Sequence, residues 1–254
     1  MQKEAIFRFK GSLADFFASE RDSHVQKVSF NLNPAAKDLI ESQGVPHVEV
    51  YALAVNGSFR PLSYNVQSAD ELVAYPEEQV RPFNSKHRAR DIGRCPEKFV
   101  ADVHLGKLVR LLRLLGINTA YSRESDDAEI ISQAVGENRA VLSRDLGLLK
   151  HGALEFGYWP RSTDPEVQVE EVLDYFELRD KVDPFTRCMK CNGWLESATL
   201  DEVAENVPPN VKSWCSDYRQ CQSCEQVYWK GSHFRKLITT VNKLLDEDYS
   251  VDSI

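Results

Sequence analysis

Between residues 97 and 180 short apolar stretches alternate with amphipathic ones, and this alternation restricts the fold more than any other feature of the chain. KFVAD, INTAYS and RAVLSRD each read as a strand, whereas HLGKLVRLLRLLG, stopping at Gly116, and DDAEIISQAVGEN read as helices. A further helix is expected over DPEVQVEEVLDYFEL. Strands separated by helices of this length join through right-handed crossovers into a parallel sheet with helices flanking it. The expected class is α/β.

In such a sheet the functional crevice lies at the carboxyl ends of the strands, which makes the acids there informative. Asp102 ends KFVAD, Asp145 ends RAVLSRD, and Asp126 with Asp127 opens the helix that follows INTAYS. Acids from three successive strand ends are placed to converge on one edge as a cation cage. Mg²⁺ and Mn²⁺ take carboxylate oxygens and water, and one or two such ions activate a water and stabilise the leaving oxygen in phosphodiester cleavage. Each Asp also has a plain alternative, because Asp is a common helix cap and suits the positive end of the helix. Asp126 and Glu129 even have capping-box spacing. Taken as a set, neighbouring acids repel one another unless a cation or a shared proton relieves them, and that favours the cage.

The helix after Asp102 carries Lys107, Arg110 and Arg113 along one side, opposite Leu108, Leu111, Leu112 and Leu115. These cations either contact phosphates or form a solvated face; Lys107 and Arg144, nearest the strand ends, are the best placed for phosphate, with Arg110 beside them. His104 reads as a helix-start residue rather than a base.

Cys188 with Cys191 and Cys221 with Cys224 form two C-x-x-C pairs. Each pair can grip a metal from one tight turn, and four thiolates complete a closed, structural zinc site. Two disulfides or unrelated thiols are the alternatives, disfavoured because MQKEAIFRFKGSLADFF is charged early and lacks the apolar core of a secretory signal. No apolar run approaches a membrane span. A cytoplasmic protein without membrane contact is the expectation, and Cys95 and Cys215 are expected to be unliganded. Around the second pair lie Trp214, Tyr218, Arg219, Tyr228, Trp229, Lys230, His233, Phe234, Arg235 and Lys236. Aromatic faces interleaved with cations suit the unstacked bases and phosphates of single-stranded RNA. The same aromatics could be the core of a small domain; Trp229 and Phe234 are expected to pack, leaving Lys230, Arg235 and Lys236 exposed. The net charge of −8 weighs mildly against binding nucleic acid by bulk electrostatics, but bound cations invert the field near an acid cage.

At 254 residues, two or three compact units are expected. The first, residues 1–80, opens with the alternating strand EAIFRFK and continues through KVSFNL. A helix then has Asn33 as cap, Pro34 in its first turn and Gly44 as stop, before the strand HVEVYALAVNG, an Asn56-Gly57 turn and the strand in ADELVAYPE. This order, with LAVNG and ADELVAYP, resembles the β-grasp fold of ubiquitin and the small sulfur carriers. It lacks their terminal diglycine, since the chain runs on through EEQVRPFNSKHRAR, so sulfur transfer is disfavoured. A module that docks a protein partner or guides substrate, or a structural appendage, remains. Residues 81–96 form a basic linker, with five Arg or Lys against one Asp in RPFNSKHRARDIGR, followed by a nuclease-like unit over 97–182, a zinc ribbon over 183–240 and a tail over 241–254.

The strings FVADVHLGKLVRLLRLLGINTAYSRESDDAEI and AVLSRDLGLLK resemble the Mut7-C RNase family, a branch of the PIN-domain nucleases, and some relatives carry an N-terminal ubiquitin-like domain. The resemblance covers the nuclease-like unit and the zinc ribbon. It implies a PIN-like parallel sheet and metal-holding acids at Asp102, Asp126 or Asp127, and Asp145, with Asp164 a fourth candidate whose other reading is the cap of the helix at Pro165. It also implies a ribonuclease dependent on Mg²⁺ or Mn²⁺, with structural Zn²⁺ and an RNA substrate. A non-catalytic RNA- or ribosome-binding adaptor that kept the fold is the alternative.

Overall fold

A computed structural model describes residues 2–17, 23–80, 96–247 and 249–250. The basic linker up to and including Cys95 therefore lies outside the described residues, as do residues 248 and 251–254 of the tail. The chain divides into two units, Met1–Cys95 with Ser143–Trp159, and Pro96–Leu142 with Pro160–Ile254.

The first unit begins with β1 (Lys3–Lys10), whose alternation buries Ala5, Phe7 and Phe9 on one face. It pairs antiparallel with β2 (Ser23–Phe30), and α1 (Ala36–Ser42) lays Ala36, Leu39 and Ile40 into the same core. Next come β3 (Ala52–Val55), β4 (Ser58–Phe59), β5 (Glu71–Tyr75) and a short α2 (Glu77–Val80). The sheet order is β2-β1-β5-β3-β4, with β1 and β5 parallel at its centre, a mixed β-grasp-like sheet. Asn56 and Gly57 both have positive φ, 49° and 79°, as a two-residue hairpin turn requires.

Two local expectations fail. Asn33 does not cap α1: the N-cap is Ala35, without a side-chain bond, because the Ala36 and Lys37 amides donate instead to Tyr64 O and Leu62 O at 2.8 and 2.9 Å. Asn33 instead pairs with Lys3 and Gln67. His47–Glu49 is a 3-10 turn rather than strand, since the Glu49 and Val50 amides bond back to Pro46 O and His47 O, both at 3.1 Å.

In the second unit β6 (Lys98–Ala101) leads through a 3-10 turn into α3 (Gly106–Leu114), then β7 (Asn118–Ala120), α4 (Asp127–Glu137) and β8 (Ala140–Leu142). β6 pairs in parallel with both β7 and β8, giving the order β7-β6-β8. Phe99, Val100, Ala101, Val141 and Leu142 are buried in it. The helix α3 ends at Gly116, whose φ of +81° and close approach to the Asp183 carbonyl oxygen leave no room for a side chain.

The chain then returns to the first unit with α5 (Leu146–Leu149) and β9 (Gly157–Tyr158). Immediately beyond β8, the Ser143 amide donates to Tyr158 O at 3.2 Å. Back in the second unit, α6 (Pro165–Tyr175) packs on α3. Beyond it lie β10 (Leu195–Ala198), α7 (Leu200–Val203), α8 (Pro209–Lys212), β11 (Tyr218–Cys221), β12 (Val227–Trp229) and α9 (Ser232–Leu245). β10, β11 and β12 form an antiparallel sheet in that order. Val203, Val211, Cys215, Tyr218 and Val227 form its core, with Trp229 against it. Among the described residues, no helix is long and apolar enough to cross a membrane.

Candidate functional site

The two C-x-x-C pairs fold as knuckles that share the same two main-chain hydrogen bonds and differ in which sulfur accepts an amide. In the first, the Cys188 amide donates to Gly193 O, the Asn192 amide to Cys188 O and the Gly193 amide to Cys191 Sγ. In the second, the Cys221 amide donates to Gln226 O, the Glu225 amide to Cys221 O and the Ser223 amide to Cys221 Sγ. The fifth residue of each, Asn192 and Glu225, takes a positive φ of 74° and 58° to close the turn. All four Sγ atoms lie within 4.8 Å of one another, with Cys188 and Cys224 3.7 Å apart and Cys191 and Cys221 3.3 Å apart. A tetrahedral Zn²⁺ with bonds of about 2.3 Å needs sulfur separations of about 3.8 Å, so the donor set fits a structural zinc ion. Burial pushes the Cys191 thiol up to about 12. Burial opposes Cys221 too, but amide donors from Cys224 and Ser223 and its thiol neighbours bring it down to about 7. Four thiolates at this spacing need a shared cation to coexist. The Tyr228 hydroxyl, kept protonated by burial, lies 3.2 Å from Cys188 Sγ. Cys215 lies outside the cluster, buried among valines.

The first knuckle is bonded directly to the parallel-sheet elements. Asn192 accepts the Thr119 amide of β7 at 3.0 Å and donates to Asn118 Oδ1 at 2.8 Å, satisfying polar groups of β7. Arg113, expected on the phosphate-facing side of α3, is instead 3% exposed. It lies in the last turn of α3, and its guanidinium donates to Thr119 O and Lys190 O, both at 2.9 Å. Burial pulls its pKa below the ordinary arginine value, partly opposed by Cys191 and Cys188.

Every acid singled out from the sequence stands at a strand or helix end. Asp102 directly follows β6, is 6% exposed and accepts the His104 amide at 3.4 Å; its own amide bonds Leu142 O of β8. Asp126 caps α4 by accepting the Glu129 amide at 2.9 Å, and Asp127, exposed, is the first residue of that helix. Asp145 caps α5, accepting the Gly147 amide at 2.6 Å. Asp164 caps α6 through the Glu166 amide at 2.9 Å. Among the described residues, the four cysteines are the one set of three or more His, Cys, Asp or Glu side chains whose ligand atoms lie within 4.8 Å of one another; Asp102, Asp126 and Asp127 do not form such a set.

Of the expected substrate-binding cations, Lys107 and Arg110 are exposed on α3. Arg144 lies over the Trp159 ring, 5.8 Å from its centre. Lys230 is half-buried and paired with Asp217 at 2.8 Å rather than exposed. Arg235 and Lys236 are exposed near the start of α9, while Phe234 packs against Phe185. Between α3, the ribbon sheet and α9 lies a cavity of about 730 Å³, lined by Arg110, Trp214, Tyr228, Trp229, His233 and Lys236 among others. Trp214 is 56% exposed. The exposed Trp214 face, with cations from α3 and α9, makes a groove that can stack a base and hold phosphates. Sequence reasoning missed His47 and Glu49, which alternate with valines like the wet face of a strand yet are 3% and 1% exposed.

Residues 97–241 match the Mut7-C RNAse domain, and residues 2–81 match the Mut7-C ubiquitin domain. No curated protein and no solved structure matches the chain.

Proposed function

Because the chain belongs to the Mut7-C RNase domain family, we propose that it is a Mg²⁺- or Mn²⁺-dependent ribonuclease whose acids Asp102, Asp126, Asp127 and Asp145 hold the catalytic cation. One observation carries this reading: β6 runs parallel to both β7 and β8, so the chain leaves all three strands on the same sheet edge, and an Asp lies on each exit. Capping does not compete with ligation, since a carboxylate has about four lone-pair sites and each cap amide uses one. A bound cation would supply a water of lowered pKa and offset charge on the phosphate.

The chain's own residues would do the rest. Asp102, largely buried, would present a fixed carboxylate, while Asp126 and Asp127 at the start of α4 would supply others. Lys107 and Arg144 would draw phosphates toward them. Zn²⁺ on Cys188, Cys191, Cys221 and Cys224 would hold the ribbon, leaving no open position for chemistry. The groove would take single-stranded RNA, with Trp214 stacking a base and Arg110, Lys230 and Lys236 supplying positive charge, and Arg235, exposed next to Lys236 on α9, would add its own.

The test is cleavage of single-stranded and structured RNAs with Mn²⁺, Mg²⁺ or EDTA, comparing wild type with Asp102→Asn and Asp145→Asn. Metal-dependent cutting lost in both variants at unchanged zinc content is the expected result. RNA binding that survives both substitutions, without cutting by the wild type, would make the chain a non-catalytic adaptor. Stacking contributes about 1–3 kcal/mol per base, so Trp214→Ala should weaken RNA binding about 5- to 150-fold.

A further inference from the structure

Glu49 and His47 are the least exposed ionisable side chains described in the first unit, and both bond to main chain far away in sequence. The Glu49 carboxylate accepts the Trp159 amide at 2.6 Å. His47 Nε2 lies 2.9 Å from Leu154 O, so it donates, while Nδ1 lies 2.5 Å from Glu41 Oε1. With an acceptor on each side of the ring, His47 and Glu41 must hold a proton between them. The 3-10 turn that carries His47 and Glu49 packs on β9, and the Phe16 ring lies 5.0 Å from that of Trp159. Burying a carboxylate is costly unless donors meet it, which ties this turn to a fixed position of Ser143–Trp159.

The contact continues to Asp145. Trp159 adjoins Tyr158, whose carbonyl accepts the Ser143 amide; Ser143 Oγ in turn accepts the Asp145 amide at 2.8 Å. Arg144 lies over the Trp159 ring. Apart from the Ser143 hydroxyl, every hydrogen-bonding atom the segment offers to this relay is a main-chain atom, so the grip of Glu49 and His47 on it depends on backbone position.

We propose that the β-grasp domain is a built-in clamp of the nuclease, with Glu49 and His47 as positioning residues that hold residues 143–159, and thereby Arg144 and Asp145, in place for cleavage. This rests on the reading of Asp145 as a cation-holding acid.

The test uses the full chain, comparing wild type with Glu49→Ala, Glu49→Gln and Phe16→Ala by amide hydrogen exchange and by Mn²⁺-dependent RNA cleavage. Removing a buried charged acceptor in Glu49→Ala should speed exchange across 143–159 about tenfold or more, leaving β1 and β5 protected. It should also lower kcat about tenfold with KM changed less than about twofold. Glu49→Gln keeps an oxygen for the Trp159 amide and should retain most of kcat. If Glu49→Ala also loses protection in β1 and β5, Phe16→Ala decides. Unchanged exchange across 143–159, or faster exchange with unchanged kcat, overturns the proposal. A wild type that cuts no RNA would sink the nuclease reading and the catalytic half of the proposal together, while the exchange result would still decide whether the β-grasp domain holds the segment.

Discussion

Arg113→Met isolates the bond between α3 and the first cysteine knuckle. Methionine keeps the apolar stem of Arg113 but removes the guanidinium that donates to Thr119 O and Lys190 O at 2.9 Å each. Each buried carbonyl left without a donor costs about 1–3 kcal/mol. Removing a buried cation returns part of its desolvation cost, so the net loss should be about 2–3 kcal/mol. In a unit of this size 1 kcal/mol moves the thermal midpoint by about 2–4 °C, and a fall of about 5–10 °C is expected. Calorimetry of the zinc-loaded protein reads this directly, and transfer of zinc to a chelator should accelerate in parallel as the knuckle loosens. Arg113→Lys, a point charge without the planar fork, should fall between the two. A midpoint within about 2 °C of wild type, with unchanged zinc release, would refute the argument that this guanidinium fastens the knuckle to β7.

Cys221→Ser should reduce zinc content from one equivalent toward none, read by metal analysis, and abolish the near-UV signal of the ribbon aromatics, because the metal stabilises the fold it completes. Gly116→Ala combines a positive φ with a backbone clash at Asp183 and should cost more than about 3 kcal/mol, seen as a lower denaturation midpoint or as insoluble protein. Glu137 is held below the usual carboxylate range by hydrogen bonds from Gln133 and Arg139. Its contribution is therefore present above pH 4.5 and disappears as the pH falls through its lowered folded value; the midpoint difference between wild type and Glu137→Gln should shrink over that acid range and stay constant near neutrality.

What the sequence reveals follows the range of the forces involved. Strand and helix periods, the Asn56-Gly57 turn, the caps at Asp126 and Asp164 and the two cysteine turns are local, decided within a few residues, and can be read directly. Helical spacing misplaces Arg113 by aligning it with Arg110, while its partners are in a knuckle more than seventy residues further on. His47 and Glu49 escape notice for the same reason, since their partners at Leu154 and Trp159 are more than a hundred residues away. The acids of the candidate site lie between these cases. Their places at strand and helix ends are legible, but the approach of one carboxylate to another depends on side-chain torsions and on bound charge, which no spacing in the sequence encodes.

Because the chain enters the first unit, leaves it and returns, that unit cannot be completed as soon as its N-terminal sheet has been synthesised. At about 5–20 residues per second, a ribosome needs about 4–16 s to go from residue 80 to residue 159. Throughout that interval Glu49 has no Trp159 amide to bind and Phe16 no indole to cover it. The newborn β-grasp sheet thus waits with an unfinished apolar face, and the stretch after β8 must find it while the rest of the nuclease is still being made. Vectorial synthesis imposes on this protein an order of assembly that refolding from denaturant does not.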